Sequence, residues 1–187
     1  MTPAPSATEV GLRLDRSGTA HAALVLLAFG PATGYELKQR AERTLRFFFA
    51  VPAMSQIYSE LQRLADAGLA GRIDGGGYEL LPAGRDALAE WLADGALTPT
   101  VFKSHLALRL IVGHLTSPER LATDIAEERA RAAAELAGVM EVRDMLPADD
   151  PQLGWAWMVA NWGTRYYGDM VAQLDQLAAI VQRKAAE

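Results

Sequence analysis

Four polar side chains share one short stretch, AVPAMSQIYSELQRLADAGL, at residues 50–69, and together they could read a polar surface. Ile57, Tyr58, Leu61, Leu64 and Ala65 recur at helical spacing and predict an inward face. Ser55, Gln56, Ser59 and Arg63 lie opposite, where a merely solvated helix would favour Glu and Lys. The Gln amide suits adenine, the Arg fork suits guanine, and serine hydroxyls suit phosphate or either base. Glu60 stands at the edge of this face and can only accept, for instance from a cytosine amino group. A solvated surface is the plain alternative, so the flanking elements decide.

Other chemistries find little support. The three histidines, His21, His105 and His114, have no carboxylate at metal-site spacing, so no metal is expected. There is no phosphate-binding loop, nucleophile elbow or dinucleotide fingerprint, so neither an enzyme nor a cofactor is expected. The absence of cysteine excludes disulfides and thiolate sites and fits a cytoplasmic setting. The longest apolar run, HAALVLLAF, is too short for a bilayer, and the N-terminus lacks a secretory pattern.

Net charge is −5, which argues mildly against a general nucleic-acid binder. The balance reverses locally: residues 38–63 hold Lys38, Arg40, Arg43, Arg46 and Arg63 against Glu42 and Glu60. Such a patch suffices for phosphate contacts and implies weak, salt-sensitive non-specific binding.

The elements that would carry these groups follow in order. Residues 19–29 are apolar nearly all round, as in a buried helix, and Gly30-Pro31 ends it. Thr33 and Glu36 form a capping box that opens a second helix with Leu37, Ala41 and Leu45 inward. Phe47–Phe49 form a short hydrophobic connection, and Pro52 suits the first turn of the third helix. Two extended segments then flank Asp74-Gly75-Gly76-Gly77, and a helix follows Pro82 with Leu88, Trp91 and Leu92 inward. Three helices, a hairpin and a helix make a winged helix-turn-helix, whose third helix enters the major groove.

Four segments are expected: a loose tail (1–18), the winged domain (19–93), a linker (94–100) and a helical domain (101–187). The last begins with a short apolar helix, LALRLIVGHL. Ser117-Pro118-Glu119 then opens a long helix with a stripe of Leu121, Ile125, Ala132, Leu136, Val139 and Leu146. The final helix runs from about residue 151 to Lys184, with a stripe of Trp155, Val159, Trp162, Tyr166, Met170, Leu174, Leu177 and Val181. Two such helices cannot cover both stripes alone, which predicts a two-fold homodimer and two half-sites of a palindrome.

Several motifs resemble one family, the PadR-like transcriptional regulators. Gly34-Tyr35-Glu36-Leu37 is similar to its G-Y-E-L signature. Gln56-Ile57-Tyr58 with Leu61, Arg63, Leu64, Gly68 and Leu69 resembles its recognition-helix pattern. Leu81 to Arg85 resembles the segment after the wing, and Trp162 to Tyr167 a stretch of the C-terminal helix. Ser59 stands where the family often has proline, Pro82 replaces a threonine, and Gly75–Gly77 replace basic wing residues. The resemblance implies a mainly α protein with a small β-hairpin: a winged helix-turn-helix followed by a long-helix dimerisation domain. It implies a repressor that binds double-stranded operator DNA as a homodimer and answers to a small aromatic or drug-like effector.

The residues expected at DNA are Lys38, Arg40 and Arg43 on the second helix, Ser55, Gln56, Tyr58, Ser59 and Arg63 on the third, and Arg72 on the wing. Trp155, Trp162 and Tyr166, with Trp91, are the candidates for stacking a flat effector, against core or dimer packing as the plain reading. A winged helix that binds protein rather than DNA is the alternative.

Overall fold

The computed structural model describes residues 18–94, Leu97 and 103–185. The expected tail and linker therefore lie outside the described residues, apart from Gly18, Asp94 and Leu97. The chain divides into two compact units, Met1–Thr98 and Pro99–Glu187.

The first unit holds α1 (Gly18–Leu27), β1 (Ala32–Thr33), α2 (Gly34–Thr44), α3 (Met54–Asp66), β2 (Ala70–Ile73), β3 (Gly77–Leu80) and α4 (Pro82–Asp94). Helix α1 has no strong amphipathic bias because it runs through the core: Ala20, Ala23, Leu24, Leu26 and Leu27 are all buried. Leu37 and Ala41 of α2 and Ile57, Leu61 and Leu64 of α3 close on it, with Leu69, Ala70 and Leu80 from the sheet side. Helix α2 starts where the capping box directs. The Thr33 hydroxyl accepts from the Glu36 N–H at 3.2 Å, and a Glu36 carboxylate oxygen accepts from the Thr33 N–H at 2.7 Å.

The sheet is larger than the expected hairpin. Strand β1 pairs antiparallel with β3 through Ala32↔Tyr78 and Thr33↔Gly77, giving the order β1-β3-β2. A two-residue strand beside Pro31 leaves no periodicity to detect in the sequence. The wing turn is a short 3-10 turn over Asp74–Gly76, with Gly75 and Gly76 at φ +80 and +79, a region that disfavours any side chain. Helix α4 begins with Pro82 in its first turn, and Gly84 is buried so closely that an added Cβ would lie 2.2 Å from the Leu69 carbonyl oxygen.

Two local expectations are corrected. Helix α3 starts at Met54, so Pro52 precedes it and serves instead through its carbonyl, described below. On α4, Leu88 packs on the core, but Leu92 is exposed and Trp91 covers only the rim, stacked on His21 with centroids 4.8 Å apart.

The second unit holds α5 (His105–Ile111), a 3-10 turn (Gly113–Leu115), α6 (Pro118–Met145) and α7 (Leu153–Ala185). The 28-residue α6 and 33-residue α7 pack along each other. Ser104 and Ser117 cap α5 and α6 through their hydroxyls. Leu121, Ile125 and Ala132 meet Leu174 and Val181, with Leu106 and Leu110 of α5 laid against them.

The expected α7 stripe is split in two. Met170, Leu174, Leu177 and Val181 join this core, whereas Trp155, Val159, Trp162 and Tyr166 are exposed. The buried residues in the first half of α7 are the small ones, Ala160 and Gly163. An apolar stripe read from sequence does not say whether its cover comes from the same chain.

Candidate nucleic-acid interface

The buried face of α3 fixes the rotation of the helix. With Ile57, Leu61 and Leu64 in the core, Ser55, Gln56, Tyr58 and Ser59 face outward. Ser55, Gln56, Ser59 and Glu60 line a shallow hollow of about 210 Å³ together with Thr19. All of these side chains are small or polar, so the surface can follow the edges of a polar partner.

Three of the expected DNA residues already have hydrogen-bond duties on this surface. The Gln56 carbonyl oxygen accepts from the Ala53 N–H at 2.9 Å, satisfying one of the open donors at the helix start. Its NH2 group is therefore the freer half, while the oxygen keeps one lone pair for a second donor. The Arg63 guanidinium donates twice to one oxygen of Glu60, at 2.9 Å from Nε and 2.7 Å from Nη2. Arg72 of β2 donates to the side-chain oxygen Oε1 of Gln62, and the Gln62 amide Nε2 in turn donates to Asp66 at 2.7 Å. The wing's cation is thus tied to the flank of α3.

Helix α2 divides its cations by role. Lys38 Nζ donates to the Pro52 carbonyl at 3.0 Å and pairs with Glu42 at 3.2 Å, which holds the segment leading into α3. Arg40 turns inward, donating to the carbonyls of Leu26 at 2.6 Å and Gly30 at 3.1 Å. It caps the end of α1, where open carbonyls gather, so Nη1 of its guanidinium is engaged within the first unit. Arg43 is exposed and has no ion pair among the described residues, so it is the α2 cation most available to a phosphate. The structure thus separates three neighbouring charges that sequence alone could not rank, because helical spacing shows the face but not the partner.

Tyr58 explains the glycine of Gly34-Tyr35-Glu36-Leu37. Its ring lies over Gly34, where an added Cβ would fall 2.6 Å from the ring, yet Tyr58 remains about half exposed. Ring and hydroxyl thus sit at the junction of α2 and α3. The Glu36 carboxyl is held below its ordinary value, first by the Thr33 backbone N–H and then by the Thr33 hydroxyl, so it stays charged at the start of α2.

The aromatic candidates fall in both units. Trp155, Trp162 and Tyr166 share an outer face of α7, but Trp91 belongs to the first unit, where His21 occupies its ring. Tyr166 alone lines a cleft of about 880 Å³ bounded by α5, α6 and α7, with Met170 and Leu177 on its apolar side. Arg109 and Arg120 both bind Asp124 there, at 2.7 and 2.9 Å. Asp124 is the buried charged residue of the described set, and the Arg109 guanidinium beside it holds its carboxyl below the ordinary range. Its position three residues after Leu121, within the inward stripe, was the available signal and was not singled out from the sequence.

Polar third helix, small wing and long-helix second unit define a winged helix-turn-helix protein of mainly α class. That fold is shared with solved transcriptional regulators. The PadR-like transcriptional regulator BC1756 from Bacillus cereus matches with a TM-score of 0.76 at 18% identity, covering 89% of this chain and 99% of that one. Bacillus subtilis PadR in complex with operator DNA matches at 0.72 and 22% identity over 87% and 98% of the chains. The same protein with p-coumaric acid gives 0.71 and 23%, over 87% and 97%. The Vibrio cholerae virulence activator AphA matches at 0.71 and 22%, over 90% and 100%. No protein-family model and no curated protein matches the sequence. Among the described residues, no helix is long and apolar enough to cross a membrane.

Proposed function

We propose that this chain is a PadR-like transcriptional regulator: a cytoplasmic homodimer that represses by binding palindromic operator DNA and is released by a small aromatic or drug-like effector. The observation that carries this reading is the outward polar face of α3, held in register by Ile57, Leu61 and Leu64 beside a three-stranded wing. The fold's occurrence in a structure with operator DNA supports it, as do the motifs in α2 and α3. Two copies related by a two-fold axis present two such helices to half-sites about one helical turn apart. The dimer is supported by the exposed, largely aromatic face of α7, with Trp155, Val159 and Tyr166 beside Trp162. The same aromatics are the surface on which a flat effector stacks, and the p-coumaric acid complex of a protein with this fold favours an aromatic acid.

The test is selection of bound sequences from genomic fragments with purified full-length protein. The reading holds if one inverted repeat is enriched and its binding weakens steeply with salt. It fails if no sequence is preferred. A winged-helix adaptor for a protein partner is the second reading, favoured by the wing: Gly75 and Gly76 carry no charge and Arg72 is tied to Gln62. Partner capture that survives nuclease, without sequence-preferring DNA binding, would establish it instead.

A further inference from the structure

Arg63 is the strongest base-reading group on α3, yet it does not point freely into solvent. Its guanidinium has five N–H donors, one on Nε and two on each terminal nitrogen. Nε and Nη2 each give one hydrogen to the same Glu60 oxygen, at 2.9 and 2.7 Å. Both hydrogens of Nη1 and the second of Nη2 remain. These make the end-on edge of the fork, which matches O6 and N7 of guanine.

The two residues also differ in exposure. The Glu60 side chain is 18% exposed and that of Arg63 39%. Glu60 lies lower, in the hollow with Ser55, Gln56 and Ser59, and the arginine rests against it. An unsupported arginine loses rotamer freedom when it binds, and holding it beforehand removes part of that cost. The same carboxylate sets a penalty on error, because it repels phosphates when α3 lies on DNA without a matching base.

We infer that Glu60 is a specificity-determining positioning residue: it buttresses Arg63 by its side edge so that the end-on edge selects one guanine per half-site. The inference rests on the reading of α3 as a DNA-reading helix. It makes Glu60 act in two opposite directions, raising discrimination at one base while lowering affinity for unrelated DNA.

The experiment is sequence selection from a random duplex library, with full-length wild type, Glu60→Gln, Arg63→Ala and Arg63→Lys, each checked for native helicity and melting. Wild type should enrich a half-site with one strongly preferred guanine. Arg63→Ala and Arg63→Lys should flatten that position, losing roughly 5–150-fold of discrimination, the range of one bidentate pair. Glu60→Gln should weaken the same guanine preference by roughly tenfold, the other positions keeping theirs, while binding to unrelated duplex stays equal or rises. A Glu60→Gln protein that keeps the full guanine preference, or that loses affinity equally for every sequence, overturns the buttress and leaves the DNA-reading function standing. If wild type itself enriches no sequence, the function falls and the buttress with it.

Discussion

Helices α3 and α7 each turn one face away from the core of their own unit, and the two faces could hardly differ more. The outer face of α3 is Ser55, Gln56, Ser59 and Arg63, each able to hydrogen-bond; that of α7 is Trp155, Val159, Trp162 and Tyr166, mostly aromatic. Water satisfies the first face well enough for the helix to stand alone until a polar partner replaces it. It satisfies the second poorly, and a contiguous row of exposed aromatic side chains marks an interaction surface. The cores beneath differ in the same sense. In the first unit Leu24, Leu27, Leu37, Leu61 and Leu64 are all fully buried around one centre. In the second, the main apolar cluster lies toward one end of the α6–α7 pair, and Val139, Ala160 and Gly163 are buried beyond it. The first unit is built to present a surface and the second to find a cover.

Breaking the cover should have the largest effect. A Val159→Glu, Trp162→Glu double variant should turn a dimer into a monomer by sedimentation and cost roughly 10²–10⁴-fold in operator affinity, since two tethered half-site contacts become one. If it remains a dimer, α7 is not the seam and the contrast is wrong. Next comes the support under the polar face: Leu61→Ala empties the centre of the first core and should cost about 2–5 kcal/mol of stability, read by denaturant unfolding. Arg63→Ala removes a reading group and no core, so it should weaken operator binding by about 1–3 kcal/mol, read by titration, with melting unchanged.

The smallest effect concerns acid. Asp124 has its folded pKa lowered by Arg109 and then Arg120, relative to an unfolded value of 3.8. Its contribution to stability is therefore complete above that unfolded value and is lost as pH falls through the folded one. Wild type should thus lose stability on acidification below about pH 5 more steeply than Asp124→Asn, measured by melting across that range. Equal slopes would show that the Arg109–Asp124–Arg120 cluster does not hold α5 to α6.

Most of the fold was legible because the strong signals are local. Thr33 and Glu36 mark the start of α2, Ser117 and Pro118 that of α6, and the 3.6-residue period of Ile57, Leu61 and Leu64 fixes which face of α3 looks out. What escaped was set by partners distant in sequence. Nothing near Arg40 says that its guanidinium will cap α1, fourteen residues back at Leu26, nor that Lys38 will reach Pro52. The two-residue β1 is too short to carry an alternation, and it exists only because β3 passes beside it. The aromatic half of the α7 stripe has the same periodicity as its core half, so sequence could not separate the face that meets α6 from the face left open. The candidate site was legible as a surface and less so as a mechanism: Ser55, Gln56, Ser59 and Arg63 were visible, but the Ala53 cap and the Glu60 buttress depend on rotamers.

The most direct test is genomic sequence selection by wild-type protein beside Arg63→Ala at matched salt. Wild type should enrich an inverted repeat whose half-site centres are about 10–10.5 base pairs apart, or a multiple, and Arg63→Ala should blur one position symmetrically in both halves. Enrichment of no sequence by wild type, or an enriched motif that Arg63→Ala leaves unchanged, would contradict the assignment of α3 as the reading helix.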